Sequence, residues 1–203
     1  MSTVTVVIPT IPGRERLLNR AMTSVHNQRR PADALVVEAD PGRSGAAATR
    51  NRALERVETD WVAWLDDDDE LLPNHLDVLL RYAGDADLVY PTPQMVGGRD
   101  PTAVAKDGVW RRPWGVHFGP EQEHHIRTHG SFIPMTHMVR TEAVQDVGGF
   151  PPGVTLPDGR YSGEDERYLI QLLDAGMTFM HVNVITWLWH VHDSNTAGKG
   201  NPA

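Results

Sequence analysis

Two apolar rhythms alternate along the chain. Residues 3–8, TVTVVI, form an unbroken β-branched run, the pattern of a strand buried on both faces. PTIPGRER then breaks it. Between Arg14 and Gln28, Leu17, Leu18, Ala21, Met22 and Val25 recur at helical spacing on one face. ALVVEA at 34–39 predicts a second strand, DPGRSG a turn, and Ala46 to Val57 a second helix. WVAWL at 61–65 predicts a third strand that runs straight into the acidic stretch Asp66–Glu70. Pro73 opens a further helix carrying Leu76, Leu79 and Leu80, and DLVY at 87–90 predicts a fourth strand. Strands that alternate with helices imply a mainly parallel α/β sheet flanked by helices, with right-handed crossovers.

After Pro91 the rhythm degrades. Residues 91–130 are rich in Gly, Pro and His and lack apolar periodicity, so a long functional excursion is expected there and not a second domain. Regularity returns at Thr141–Val147 and at Glu164–Ala175, where Tyr168, Leu169, Leu172 and Leu173 share a face. Gly176 stands where a helix C-cap glycine belongs. FMHVNVITWLWH at 179–190 predicts one or two strands, and the tail at 193–203 is expected to fray. No internal repeat is visible. Residues 1–203 thus read as one domain: a first half to residue 90, the excursion, and a second half over 131–192.

Composition narrows the chemistry. The 203 residues carry 19 Lys+Arg against 27 Asp+Glu, a formal net charge of −8, with 40% hydrophobic and 23% charged residues. That is ordinary globular usage, and the length can bury a core unaided. The absence of cysteine removes disulfides, thiolate metal sites and cysteine nucleophiles, so any metal is held by oxygen or imidazole. The longest strongly apolar runs are far below the roughly 20 residues of a membrane span. The start lacks the features of a signal peptide, and a cytoplasmic protein is expected. The acidic balance argues against a broad nucleic-acid footprint.

The sharpest chemical feature is the run Asp66–Asp69 immediately after a buried strand. Ligands of open α/β sheets bind at the carboxyl ends of strands. Two like charges 4 Å apart repel by about 4 kcal/mol at an effective dielectric of 20. A hard divalent cation such as Mg²⁺ or Mn²⁺ removes that repulsion and shares its coordination with phosphates. The bland alternative is a solvated acidic turn. Glu164 and Asp165 fall in the first turn of an amphipathic helix, where they are capping acids or place a general base. His190 ends the last predicted strand and His192 lies two residues on, and they read as structural residues or a metal ligand. His124, His125 and His129 lack zinc-ligand spacing and are expected on a surface or substrate loop. Trp110, Arg111, Arg112 and Trp114, in VWRRPWG, combine aromatic faces with guanidinium forks and are read as a flap over the site or as a packed loop. Neither GxxxxGK[ST], GxGxxG nor GxSxG occurs.

Taken in order, VVIPTIPGRERLLNRAMTSVHNQ, LVVEADPGRSGAAATRNRALERVETDWVAWLDDDDELLPNHLDVLL, and VGGFPPG followed by GEDERYLIQLLDAG resemble the family 2 glycosyltransferases of the GT-A, Rossmann-like fold. The resemblance is close over about 4–90 and looser over 130–192. It implies a metal-dependent inverting transfer of a sugar from a nucleotide-diphosphate sugar to an acceptor hydroxyl. It also implies that Pro9 and Thr10 end the first strand beside the nucleotide, that Glu38 or Asp40 contacts base or ribose, and that Arg50 lies near the base or diphosphate. Asp66 and Asp68 become the DxD pair, with Asp68 on the metal and Asp66 on the ribose, sugar or metal. The run of four leaves the register open, and Asp67 stands among the donor-binding residues. Asp165 becomes the base, and His190 or His192 a late metal ligand. The chain has EADPG where the family commonly has DDgS, and it lacks the QxxRW motif of processive synthases. Two other readings compete: a metal-dependent nucleotidyl- or phosphotransferase, and a non-catalytic sugar-nucleotide-binding module. The acceptor is open, a modified nucleobase included.

Overall fold

The computed structural model describes residues 2–97, 104–106, 109–111 and 117–191. In chain order the elements are β1 (Val4–Thr10), α1 (Glu15–His26), β2 (Ala34–Ala39), α2 (Ala46–Leu54), β3 (Trp61–Trp64), β4 (Glu70–Leu71), α3 (His75–Arg81) and β5 (Leu88–Val96). They continue as β6 (Val104–Lys106), β7 (Val109–Arg111), α4 (Pro120–His129), β8 (Met138–Arg140), α5 (Thr141–Asp146), β9 (Val154–Thr155), β10 (Tyr161–Ser162), α6 (Glu164–Asp174) and β11 (Phe179–His190).

Seven strands form the main sheet in the order β2-β1-β3-β8-β5-β11-β4, and β9–β10 and β6–β7 make two small hairpins. β2, β1, β3, β5 and β11 point the same way, while β8 and β4 run against them. The sheet is therefore mixed, mainly parallel but not wholly so. The two antiparallel strands are only three and two residues long, too short to show as apolar runs in the sequence.

Alternation along the buried strands divides the core in two. Val4, Val6 and Ile8 of β1 and Trp61 and Ala63 of β3 face α1 and α3, where they meet Ala21, Val25, Leu76 and Leu79. Val7, Val62 and Trp64 face the other side, against Ala53 and Leu54 of α2, Ala143 and Val144 of α5, and Tyr168, Leu169 and Leu172 of α6. Burying each such side chain contributes about 1.5–3 kcal/mol, which makes the doubly covered sheet a rigid base. α6 ends as expected at Gly176: the amide of Met177 donates to Leu172 O and that of Gly176 to Leu173 O, with Gly176 at φ +79°.

Two elements depart from the sequence reading. β5 does not stop at Tyr90 but runs to Val96 through Pro91 and Pro93. β8 pairs only with Leu88 and Val89, so beyond them β5 carries a ladder on one side alone. Prolines are tolerated where no ladder needs their N–H. Within the expected excursion, residues 120–129 form the helix α4. Its one buried apolar residue is Ile126, too little to create a periodic signal. Pro120 at the first turn, the Glu123–Arg127 pair and the Arg127–Asp174 pair to α6 (2.7 Å) supply what the apolar pattern lacks.

Candidate active site

The parallel strands β2, β1 and β3 bring their carboxyl ends to one edge, and the acidic residues of the sequence gather there. In register, Pro9 lies opposite Glu38 and Thr10 opposite Ala39. After β3 the chain turns sharply, with the Asp69 amide donating to Asp66 O, and this turn splits the acidic run. Asp66, Asp68 and Asp69 each offer an oxygen within 4.8 Å of the others. Asp67 points elsewhere: it accepts the Thr10 hydroxyl (2.6 Å) and the Arg14 guanidinium. Asp67 and Thr10, both expected at the donor, are thus bonded to each other.

The sequence shows no cation beside this run, but the fold supplies three. Arg14 reaches Asp67 and Asp68 (3.2 Å to the latter), Arg20 donates to Asp68 O and pairs with Glu70 (3.3 Å), and Arg50 pairs with Asp66 (3.1 Å). Among the described residues these three arginines meet the five acids of 66–70. Burial, with the charges of Asp66 and Asp68 added, pushes the Asp69 carboxyl well above its usual range, against the His190 amide that donates to it (2.9 Å). Burial also raises Asp67. An all-carboxylate set of this kind suits a hard divalent cation and offers nothing to a soft one.

Arg50 joins this cluster to the second acidic motif. Its other Nη donates to Glu164 (3.0 Å), so one buried guanidinium spans Asp66 and Glu164. Beneath it lies an aromatic floor. The Phe150 ring is 5.5 Å from the Arg50 guanidinium, meets Trp64 edge-on at 5.0 Å and stacks on Tyr168 at 4.1 Å. His137 stacks on Tyr168 in turn, and burial holds its ring near pKa 4, neutral under the arginine. Asn51 brackets Phe150, accepting its amide (2.8 Å) and donating to its carbonyl (2.9 Å). Gly149 must be glycine here: its φ is +76°, and a Cβ would lie 2.4 Å from Asn51 Oδ1. The RN and GGF motifs are thus two halves of one support.

Glu164, Asp165 and Glu166 fill the first turn of α6, where the macrodipole favours carboxylates. They divide the work. Glu164 goes to Arg50, and Glu166 is buried against Arg160 (2.7 Å). Asp165 accepts only the Glu166 amide (2.8 Å) among the hydrogen bonds seen. Burial, then the neighbouring Glu164 charge, raises its carboxyl above the usual range despite Arg50 nearby.

The other expected residues behave differently. Glu38 is held by Arg52 (2.9 Å) and Arg56 (3.1 Å). Asp40 accepts the Ser44 hydroxyl (2.7 Å) and the Gly45 amide (2.9 Å), which hold its pKa far down and brace the turn into α2. His190 donates its amide to Asp69, and its ring nitrogen Nε2 meets Glu70 (2.8 Å), beside the cluster but outside it. His192, Arg112 and Trp114 lie outside the described residues, and Trp110 and Arg111 belong to β7, described by its strand alone. Sequence reasoning missed Arg14 and Asn51. The signal for Asn51 was its place beside Arg50 in ATRNRAL; Arg14 gives none.

Among the described residues no helix is long and apolar enough to cross a membrane. Comparison with known proteins agrees with the geometry. The family model described as glycosyl transferase family 2 matches residues 34–148. The pre-mycofactocin glycosyltransferase of Mycobacterium tuberculosis is 30% identical over 85% of this chain, which spans 39% of that relative's length. Among solved structures, S. aureus TarS 1–349 in complex with UDP-GlcNAc superposes with a TM-score of 0.74 at 16% identity, over 98% of this chain and 62% of the other. The mannosyltransferase PcManGT of Pyrobaculum calidifontis, in complex with GDP-Man and Mn²⁺, gives 0.64 at 15% identity, over 95% and 58%. Both share the mixed central sheet flanked by helices. With more than half its length matched by the family model and a sheet shared with those structures, this chain has the GT-A fold and belongs to glycosyl transferase family 2.

Proposed function

We propose that this domain moves a sugar from a nucleoside-diphosphate sugar to an acceptor hydroxyl, with inversion, using a divalent metal held by the acidic cluster. The observation that carries the proposal is the convergence of Asp66, Asp68 and Asp69 within 4.8 Å at the end of β3. Mn²⁺ or Mg²⁺ fits that oxygen set and, when bound, supplies neutralising charge for the diphosphate leaving group. Asp68 and Asp69 would hold it, with Asp66 beside them toward the donor. Pro9, Thr10 and the turn carrying Glu38 and Asp40 border the nucleoside. The likeness to complexes of UDP-GlcNAc and GDP-Man leaves the base open between uridine and guanosine.

Asp165 is the proton acceptor. It lies at a helix N-terminus, it is not consumed by an ion pair as Glu164 and Glu166 are, and its raised pKa makes it a stronger base. As the acceptor oxygen attacks the anomeric carbon, its proton passes to an Asp165 oxygen. The bond from that carbon to the diphosphate oxygen breaks on the opposite face. No covalent enzyme intermediate forms. Arg50 holds Asp66 and Glu164 at fixed separation, so donor side and base side keep their distance.

Incubation with UDP-GlcNAc or GDP-mannose and Mn²⁺ tests the reading. Slow release of UDP or GDP is expected, abolished by EDTA and lowered in Asp165→Asn. Pyrophosphate release from nucleoside triphosphates, or nucleotide release indifferent to EDTA, contradicts it and favours a nucleotidyltransferase or a metal-free mechanism.

A further inference from the structure

The histidines of α4 take no part in the site described above. His125 and His129 are four residues apart, so they occupy one face on successive turns. Their rings lie 5.0 Å apart between centroids and only 12° from parallel. His125 is half-buried against Phe132, with ring centroids 5.7 Å apart, and His129 is exposed. Rotation of the His125 ring about its soft imidazole torsion can turn it toward an ion held at His129.

Thr128 lies against His129. Its hydroxyl donates to His124 O (2.7 Å), and the same oxygen lies 2.6 Å from His129 Nδ1. In the Nδ1–H tautomer His129 donates to that oxygen and keeps Nε2 for a ligand. Metal-binding histidines are commonly fixed in this way, with one nitrogen donating to an oxygen while the other ligates.

The helix beneath is anchored. Ile126 is buried in the core, and Arg127 ties α4 to Glu123 on its own turn and to Asp174 of α6. The expectation of a loop without zinc-ligand spacing does not hold here: residues 120–129 are helical, and histidines four apart on one helix face are a spacing that zinc-binding helices use. We infer that His125 and His129 form a second metal site, selective for borderline transition ions such as Zn²⁺, Ni²⁺ and Cu²⁺, with Thr128 as the residue that orients His129. The site is built on two imidazoles. Its chemistry is the opposite of the β3 cluster: nitrogen donors here, hard oxygen donors there. The inference is independent of the transferase mechanism.

Calorimetric titration with Zn²⁺ tests it, on protein free of any polyhistidine tag and in excess Mg²⁺ to occupy carboxylate sites. One equivalent of Zn²⁺ should bind to the wild type and equally to Asp68→Asn. His129→Gln, a change on the exposed surface that leaves the core intact, should weaken it more than about tenfold, and Thr128→Val by about tenfold through loss of the orienting acceptor. His125→Gln should match His129→Gln, and Cu²⁺ resonance spectra should show two nitrogen ligands in the wild type and one in either variant. Zn²⁺ affinity unchanged in His129→Gln, or lost in Asp68→Asn, overturns the site.

Discussion

The turn after β2 and the turn after β3 flank the same strand, β1, and both are acidic. At the β2 turn, Glu38 meets Arg52 and Arg56, while Asp40 meets Ser44, Gly45 and the far nitrogen of Arg52 (3.4 Å). Its charges are answered by the protein itself, and its carboxylates brace the turn. At the β3 turn, five consecutive acids and the α6 acids face Arg14, Arg20 and Arg50. Here the carboxylates of Asp66, Asp68 and Asp69 converge within 4.8 Å of one another. Position at a strand end therefore does not by itself make a metal site. What separates the two turns is that the β2 acids are spread over arginines and turn donors, whereas three β3 acids gather round one point, where a divalent cation relieves their mutual repulsion.

Removing a neutralising group from the β3 side should have the largest effect. Arg50→Met leaves Asp66 and Glu164 facing each other without their shared partner. Both acids are partly exposed and regain some hydration, so the loss is about 1–3 kcal/mol, read as a fall in denaturation midpoint with unchanged slope. A loss under about 1 kcal/mol would mean that the guanidinium is dispensable to the fold. Asp165→Asn should lower turnover by at least about 10²-fold, while donor and Mn²⁺ affinity stay near normal. Glu164→Gln should do much less to turnover. Near-normal turnover in Asp165→Asn removes this residue from the mechanism and with it the need for a base on that face.

The same residue makes a pH prediction of definite sign. Its folded pKa is raised, so the base is lost on acidification within a window above the ordinary carboxylate range, and the acid limb of kcat/KM should fall there. For stability the sign reverses. The contribution of the protonated carboxyl is present at low pH and is lost as pH rises through the folded value. Asp165→Asn should thus be no less stable than the wild type at neutral pH, and a lower melting temperature for the variant would contradict the assigned shift. On the compensated side, Asp40→Ala should cost about 1–2 kcal/mol by freeing the Ser44 hydroxyl and the Gly45 amide, without altering metal affinity. Glu38→Gln, half-exchanging a partly exposed ion pair, should cost less than about 1 kcal/mol.

Legibility in the sequence followed physical cause. β1, β3 and the faces of α1 and α6 announce themselves because burial of a whole face forces apolar periodicity. α4 does not, since it is held by Pro120, one core contact at Ile126 and the Arg127 pairs. β4 and β8 are too short to carry a period. In the site, the acidic run and the α6 acids were visible as local strings. Arg14 and Arg20 were not, because they meet the run from about 50 residues away; Arg50 was read as a donor-side residue, but its pairing with Glu164, 114 residues on, was not. The turn that sends Asp67 to Thr10 and gathers Asp66, Asp68 and Asp69 is likewise a matter of backbone path, which composition does not encode.

The claim that the carboxylates gathered after β3 build the metal site is tested most directly by Mn²⁺ binding, followed by electron paramagnetic resonance in wild type, Asp68→Asn and Glu38→Gln, each with and without UDP. The account expects one tight Mn²⁺ in the wild type and in Glu38→Gln, strengthened by UDP, and at least a tenfold loss of affinity in Asp68→Asn. Mn²⁺ bound equally by all three, or weakened in Glu38→Gln as much as in Asp68→Asn, would contradict it.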